Sequence, residues 1–162
     1  MNLKIGDTVM HSHSGVCKIT DIVTQTFNHE ERDYYVLLPM FDKRSICYVP
    51  VDYNPEKIHI QPVLSTSQAN ELLKKAKNAS PLDWINNPNE RKQKFLHIYK
   101  GVNREEKIRL VKAIRLHEEE QKKLGKQLHA TDLHIVENCE NELLGELSYV
   151  LNIPVEELKN CI

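Results

Sequence analysis

The stretch that decides the fold of the first part of this chain is VCKITDIV at residues 16–23. It is rich in β-branched residues, and its apolar and polar side chains alternate imperfectly, as in a half-buried strand. Similar runs lie on both sides of it: TVM at 8–10, YYVLL at 34–38 and SICYV at 45–49. The connections are too short to hold a crossover helix, which excludes parallel pairing. Several short strands at this spacing predict a small, strongly bent antiparallel sheet or barrel.

A helical pattern replaces the strand pattern after residue 64. Turn residues become rarer, and apolar side chains recur with a 3.6-residue period. Residues that start or stop helices predict about five of them: Ser67 to Pro81, Pro88 to Gly101, and later ones starting at Asn103, at Thr131 with Asp132, and at Pro154. The chain is therefore predicted to be an α+β protein, with a β domain at residues 1–62 and a compact all-α domain at residues 63–162.

The formal net charge of −1 conceals blocks of opposite sign. Residues 1–64 carry a charge of −2, residues 65–130 carry +7 and residues 131–162 carry −6. A basic block between acidic ones indicates a polyanionic partner, so the near-neutral total does not exclude nucleic acid.

The sequence argues against a membrane, secreted or zinc-finger protein. Its longest mostly apolar run, residues 34–41, has eight residues, whereas a membrane span needs about 20. No apolar segment of a signal peptide follows the first methionine, so we expect a cytoplasmic protein that does not bind membranes. The cysteines are scattered without a C-x-x-C pair, which disfavours a disulfide framework or a zinc finger.

Catalytic motifs are absent, since no glycine-rich phosphate loop, G-x-S-x-G or H-E-x-x-H occurs. We therefore expect no enzyme activity and no cofactor. His11 and His13, with Cys17 nearby, leave two alternatives. They supply metal ligands, because positions i and i+2 of a strand point the same way, or they bond the local backbone around the Gly15 turn. A zinc site needs three or four ligands, and without a further partner at ligand spacing we predict no metal.

Trp84 is the only tryptophan, and it lies in a loop that two prolines delimit at residues 81–88. The basic residues Arg91, Lys92 and Lys94 follow it closely. One interpretation is that Trp84 packs over the helices as a large core residue. The other is an aromatic wedge beside a phosphate-binding patch, as in proteins that insert an apolar side chain at a base step.

Several short motifs, taken in order, resemble a known family of bacterial transcription regulators, the CarD/CdnL family. The motifs of the β domain are GDTV at 6–9, H-x-G at 13–15, YVL at 35–37 and VPV at 49–51. They are similar to the RNA-polymerase-interaction domain that this family shares with the transcription-repair coupling factor. Asp83-Trp84 and LGEL at 144–147 resemble the CarD helical domain, which the coupling factor lacks.

The resemblance implies a small Tudor/SH3-like β-barrel that binds the β subunit of RNA polymerase and a helical domain that binds promoter DNA without strong sequence specificity. In the family, a tryptophan wedges into the minor groove at the upstream edge of the bubble and stabilises the open complex. On this interpretation Trp84 is the wedge, Arg91, Lys92 and Lys94 contact phosphates, and we expect a monomer. The polymerase contact is expected at an exposed strand edge with Gln25, Arg44, Ser45, Ile46, Cys47 and Tyr48.

A second hypothesis makes the helical domain a protein–protein adaptor without DNA contact. Its basis is the acidic block at residues 131–162 together with the loss of basic residues at 85–90, which read INNPNE here. Gln25 and Tyr48 also stand where the family carries arginine. DNA binding through several Lys and Arg contacts weakens steeply with salt, whereas an apolar adaptor contact does not.

Overall fold

A computed structural model describes residues 3–42 and 44–162 of the chain. Met1, Asn2 and Lys43 lie outside the described residues. The chain divides into two compact units between Val63 and Leu64, called here the β unit and the helical unit.

Five antiparallel strands form the β unit. They are β1 (Thr8–His11), β2 (Gly15–Phe27), β3 (Glu30–Pro39), β4 (Cys47–Pro50) and β5 (Ile60–Pro62). Their order in the sheet is β4-β3-β2-β1-β5. The first four were expected from the sequence, while β5 is too short for its alternation to be recognised.

Two tight turns make the long strands possible. Gly15 starts β2 with a φ of 69°, a conformation that glycine adopts without steric cost. Asn28 and His29 have φ of 50° and 66° and join β2 to β3 as a two-residue hairpin turn. A bulge between Ile19 and Asp21 shifts the register and bends β2.

The α+β class is confirmed, but the predicted barrel is not closed. Closure requires hydrogen bonds between the first and last strands of the order, β4 and β5, and none is present within residues 3–42 and 44–162. These strands have four and three residues, so each offers few backbone groups for a closing ladder. The sheet is therefore open, with β4 and β5 as its edges.

The helical unit contains α1 (Thr66–Asn78), α2 (Pro88–Lys100), α3 (Arg104–Lys123), α4 (Ala130–Leu151) and α5 (Val155–Leu158). The starts predicted at Pro88, Asn103 and Pro154 are confirmed. The first helix begins earlier than predicted, because Ser65 and not Ser67 forms the capping box with Gln68. The imidazole of His129 caps α4, which begins at Ala130, one residue before the predicted start at Thr131.

Each unit has its own apolar core. In the β unit, Ile19 and Leu37 are fully buried at its centre. In the helical unit, the core forms around Phe95, Ile114 and Leu147, which are also fully buried. None of the helices in the described part of the chain has the length and apolar character that a membrane crossing requires.

Candidate functional site

The β unit exposes an apolar and aromatic surface on the face opposite its core. Directly paired residues of antiparallel strands share a face, so Val36 lies on the same side as Tyr48 of β4 and Asp21 of β2. Tyr34 and Val23 form the next such pair. We call this surface the outer face. Its apolar and aromatic members are Val23, Phe27, Tyr34, Val36 and Tyr48, and its polar and charged members include Asp21, Gln25 and Arg32.

Exposure on the outer face is greatest near β4 and at the β2–β3 turn. Tyr48 is 44% exposed, and Ile46, just before β4, is 56% exposed. Phe27 is 53% exposed, and its ring meets that of Tyr34 edge-on at a centroid distance of 5.4 Å. Because β4 pairs only with β3 among the described strands, its other side offers free backbone groups.

The residues predicted to contact a partner do not all lie on this face. Cys47 pairs with the buried Leu37 and packs against the core, and burial raises the pKa of its thiol. Its side chain is only partly exposed, so it offers a partner less area than Tyr48 does. Gln25 is on the outer face, but it pairs with Arg32 of β3, whereas Tyr48 pairs with Val36. Arg32 and Val36 are four residues apart, so Gln25 lies about 13 Å along the strand from Tyr48.

Arg44 and Ser45 form the turn that leads into β4. The hydroxyl of Ser45 donates to a carboxylate oxygen of Asp42 at 2.9 Å, and this bond is the largest cause of the lowered pKa of Asp42. The guanidinium of Arg44 extends into solvent, with 98% of its side chain exposed. Sequence reasoning missed Phe27, Tyr34 and Val36, although a large apolar residue next to a hairpin turn was a usable signal.

Trp84 of the helical unit is half-buried and held by three side chains. The imidazole of His117 stacks on the indole at 3.7 Å with an interplanar angle of 17°. Phe95 meets the indole edge-on at 5.8 Å, and the guanidinium carbon of Arg91 lies 4.7 Å from its centroid. Both interpretations of Trp84 therefore keep support: it packs on the helical core, and the residue is not fully buried.

Arg91 does not have the position that a phosphate contact requires. Only 8% of its side chain is exposed, and its guanidinium binds the carboxylate of Asp132. The remaining nitrogen donates to the carbonyl oxygens of Ile85 and Asn86 at 2.8 and 3.3 Å. The burial and these partners argue against the predicted phosphate contact, because a salt-bridged guanidinium inside the unit cannot reach DNA.

Lys92 and Lys94 differ from Arg91, although they are its neighbours in α2. Both are exposed, and neither makes an ion pair within residues 3–42 and 44–162. Their ammonium groups are therefore available to an external anion. Of the three predicted phosphate-binding residues, these two have the accessibility that the function needs.

Much of the basic block is neutralised inside the helical unit by the acidic block that follows it in sequence. Besides Arg91–Asp132, the bridges that join the two blocks are Arg104–Glu146 at 2.6 Å, Lys107–Glu142 at 2.8 Å and Arg115–Glu140 at 2.5 Å. Lys107 and Glu142 are both buried, and burial is the main cause of the raised pKa of Glu142. The +7 of the sequence block therefore overstates the positive charge that the surface presents.

His11, His13 and Cys17 do not form a metal site. His11 is buried, its Nδ1 lies 3.1 Å from the hydroxyl of Ser14, and burial lowers its pKa to about 4. Burial also raises the pKa of the Cys17 thiol to about 12. Within the part of the chain that the structure describes, no three His, Cys, Asp or Glu side chains are grouped to bind a metal.

The β unit corresponds to a known family of domains. A family model described as the CarD-like/TRCF RID domain matches residues 3–64. The matched range contains all five strands and ends at Leu64, the first residue of the helical unit. No curated protein matches the chain significantly.

Proposed function

Because residues 3–64 are a CarD-like/TRCF RID domain, a domain that interacts with RNA polymerase, we propose that this protein is a non-enzymatic transcription regulator. It docks on the β subunit of RNA polymerase through the β unit. Its helical unit then contacts upstream promoter DNA and stabilises the open complex. The family match of the β unit is the observation that carries this proposal.

The edge of β4 and the adjoining outer face are the best candidates for the polymerase contact. An edge strand with free backbone groups accepts a further strand from a partner, and exposed side chains beside it provide specificity. Tyr48 and Ile46 supply apolar area at that edge. Arg44 adds a solvent-exposed charge at the start of the same segment.

The loop that carries Trp84 and the first turns of α2 are the best candidates for the DNA contact. Trp84 is half-buried in this loop, and Lys92 and Lys94 are exposed in the first turns of the helix that follows it. Lysines bind phosphates without reading sequence, and an aromatic wedge recognises a deformable base step. Attachment to polymerase raises the local concentration of DNA, so two lysines and one ring suffice despite weak intrinsic affinity.

Replacing Trp84 by alanine is expected to shorten the lifetime of the open promoter complex about tenfold, because one aromatic–base contact contributes about 1–3 kcal/mol. The measurement is the decay of competitor-resistant complexes formed by polymerase with the full-length protein. Binding to the β subunit should stay unchanged.

The matched control for this variant is Tyr149→Ala, which removes an aromatic ring that is 40% exposed elsewhere in the helical unit. It should leave the lifetime unchanged. An unaltered lifetime with Trp84→Ala, in a protein whose helix content is intact by circular dichroism, contradicts the wedge assignment.

A second candidate function is supported by the internal pairing of the basic block. If the helical unit has little free positive charge, its partner is another protein, and the β unit serves as the polymerase anchor of an adaptor. The salt dependence of DNA binding distinguishes the two functions.

The double variant Lys92→Gln/Lys94→Gln is expected to reduce the slope of log K against log salt by about 2, since each phosphate contact contributes about 0.9. The slope is measured by titrating duplex DNA at several salt concentrations. Lys18→Gln/Lys57→Gln removes the same charge from exposed positions of the β unit and should leave the slope unchanged. Equal slopes for all three proteins favour the adaptor.

A further inference from the structure

We propose that Arg91 and Asp132 form a buried lock that positions the Trp84 loop. Only the expected effect of this pair on the open promoter complex rests on the proposed function. The lock itself is a property of the helical unit in the free protein.

The guanidinium of Arg91 uses all three of its nitrogens in this lock. Nε donates to both carboxylate oxygens of Asp132 at 3.1 Å, and Nη2 donates to Oδ2 at 2.9 Å. Nη1 donates to the carbonyl oxygens of Ile85 and Asn86, the two residues that follow Trp84. One side chain thus ties the backbone beside the indole to a carboxylate 41 residues further along the chain.

Both charged partners lie near the N-terminal ends of helices. Arg91 lies in the first turn of α2, and Asp132 lies in the first turn of α4, where a carboxylate is stabilised by the helix dipole. Their side chains are 8% and 3% exposed, so the pair is shielded from water and from salt. A planar fork can bind a carboxylate and two carbonyl groups together, whereas a lysine ammonium cannot reproduce this geometry.

The ring contacts of Trp84 extend the same lock. The guanidinium carbon of Arg91 lies 4.7 Å from the indole centroid, within the range of a cation–π contact. His117 and Phe95 contact the indole as well. Residues 81–86 lie outside the helices and strands, and before Trp84 the N–H of Leu82 donates to the carbonyl oxygen of Arg109 at 3.2 Å. After Trp84, the loop backbone at Ile85 and Asn86 is held by Arg91, so this side chain helps to determine how the indole is presented.

The test uses Asp132→Asn in the full-length protein and the intrinsic fluorescence of Trp84, which is the only tryptophan. An amide removes the charge and one acceptor while keeping the shape. The expected result is a red shift of the emission maximum and a larger acrylamide quenching constant, because the loop loosens and water reaches the indole. Arg91→Lys keeps the positive charge but removes the planar guanidinium that binds Asp132 and the two carbonyl groups together. It is expected to give the same changes.

Glu142→Gln is the matched control. It makes the same carboxylate-to-amide change in a buried ion pair of the helical unit whose members make no ring contact with Trp84. It should leave the emission maximum and the quenching constant unchanged. An equal effect of Glu142→Gln indicates general loosening of the unit and overturns the proposal.

The remaining outcomes also decide the proposal. Unchanged Trp84 fluorescence in a folded Asp132→Asn or Arg91→Lys protein overturns it. Loss of helix content in both variants rejects a positioning role in favour of a purely stabilising one. If the fluorescence changes as expected but neither Asp132→Asn nor Trp84→Ala alters the open-complex lifetime, the lock stands and the proposed promoter function fails.

Discussion

Replacing both Ile46 and Tyr48 by aspartate is expected to weaken binding to the β subunit of RNA polymerase at least about 100-fold, because central apolar residues of an interface each contribute about 2 kcal/mol or more. The two side chains are 56% and 44% exposed at the edge of β4, so their replacement removes no core contact. A carboxylate there must also be desolvated on docking, which adds to the loss. The measurement is a pull-down of the β subunit by the full-length variant, followed by a titration.

The control for this effect is Ile5→Asp. Ile5 is 58% exposed and precedes β1, which is separated from β4 by two strands in the sheet order. The same charge at this position should leave polymerase binding unchanged. Retained binding of the double variant contradicts the β4 docking surface, while loss of binding in both proteins points to a general charge effect.

Lys107→Met is expected to destabilise the helical unit by about 3–5 kcal/mol at neutral pH, because it leaves the Glu142 carboxylate buried without its cation. Lys107 is 2% exposed, and its ammonium donates to Glu142 at 2.8 Å. Within the described residues, the second carboxylate oxygen of Glu142 has no hydrogen-bond partner, so no other group replaces the lysine. Urea unfolding followed by circular dichroism measures the change.

The double variant Lys107→Met/Glu142→Leu provides the control, since an apolar pair of similar size removes the uncompensated charge. It should recover most of the lost stability. A loss as large as that of Lys107→Met alone contradicts the electrostatic explanation and indicates a packing defect.

The stability of Lys107→Met is also expected to depend on pH. Burial raises the pKa of Glu142 above its ordinary value of 4.5 even with the lysine present, and removal of the lysine raises it further. The folded state then binds a proton that the unfolded state has released, so stability falls as pH rises above about 4.5. The deficit relative to the wild-type protein should be smaller at low pH than at neutral pH.

The local features of the fold were predictable because their causes are local. A proline at the first helical position or an asparagine at the N-cap acts on its close neighbours, and the starts at Pro88 and Asn103 are confirmed for this reason. Strand alternation likewise predicted the first four strands. It did not predict β5, whose three residues pair with β1 and contain too little pattern.

The candidate sites were predicted less completely, since a position in the sequence does not specify burial. Lys92 and Lys94 are exposed as expected, whereas Arg91, one residue away, points into the unit. Cys47 and Tyr48 are neighbours in β4, yet one faces the core and the other the outer face. The register of β4 against β3 determines which is which, and residue types alone do not reveal that register.

The sequence by itself determined the α+β class and the family resemblance, which is confirmed for residues 3–64. These features follow from short-range patterns that each segment carries alone. Only the tertiary structure decided which basic side chains form ion pairs inside the helical unit and which remain exposed. The basic and acidic blocks look separate along the chain, but α4 packs against α2 and α3 and brings carboxylates such as Asp132 onto cations such as Arg91. Ion pairing depends on distance in space, and folding brings into contact charged residues that are far apart in the sequence.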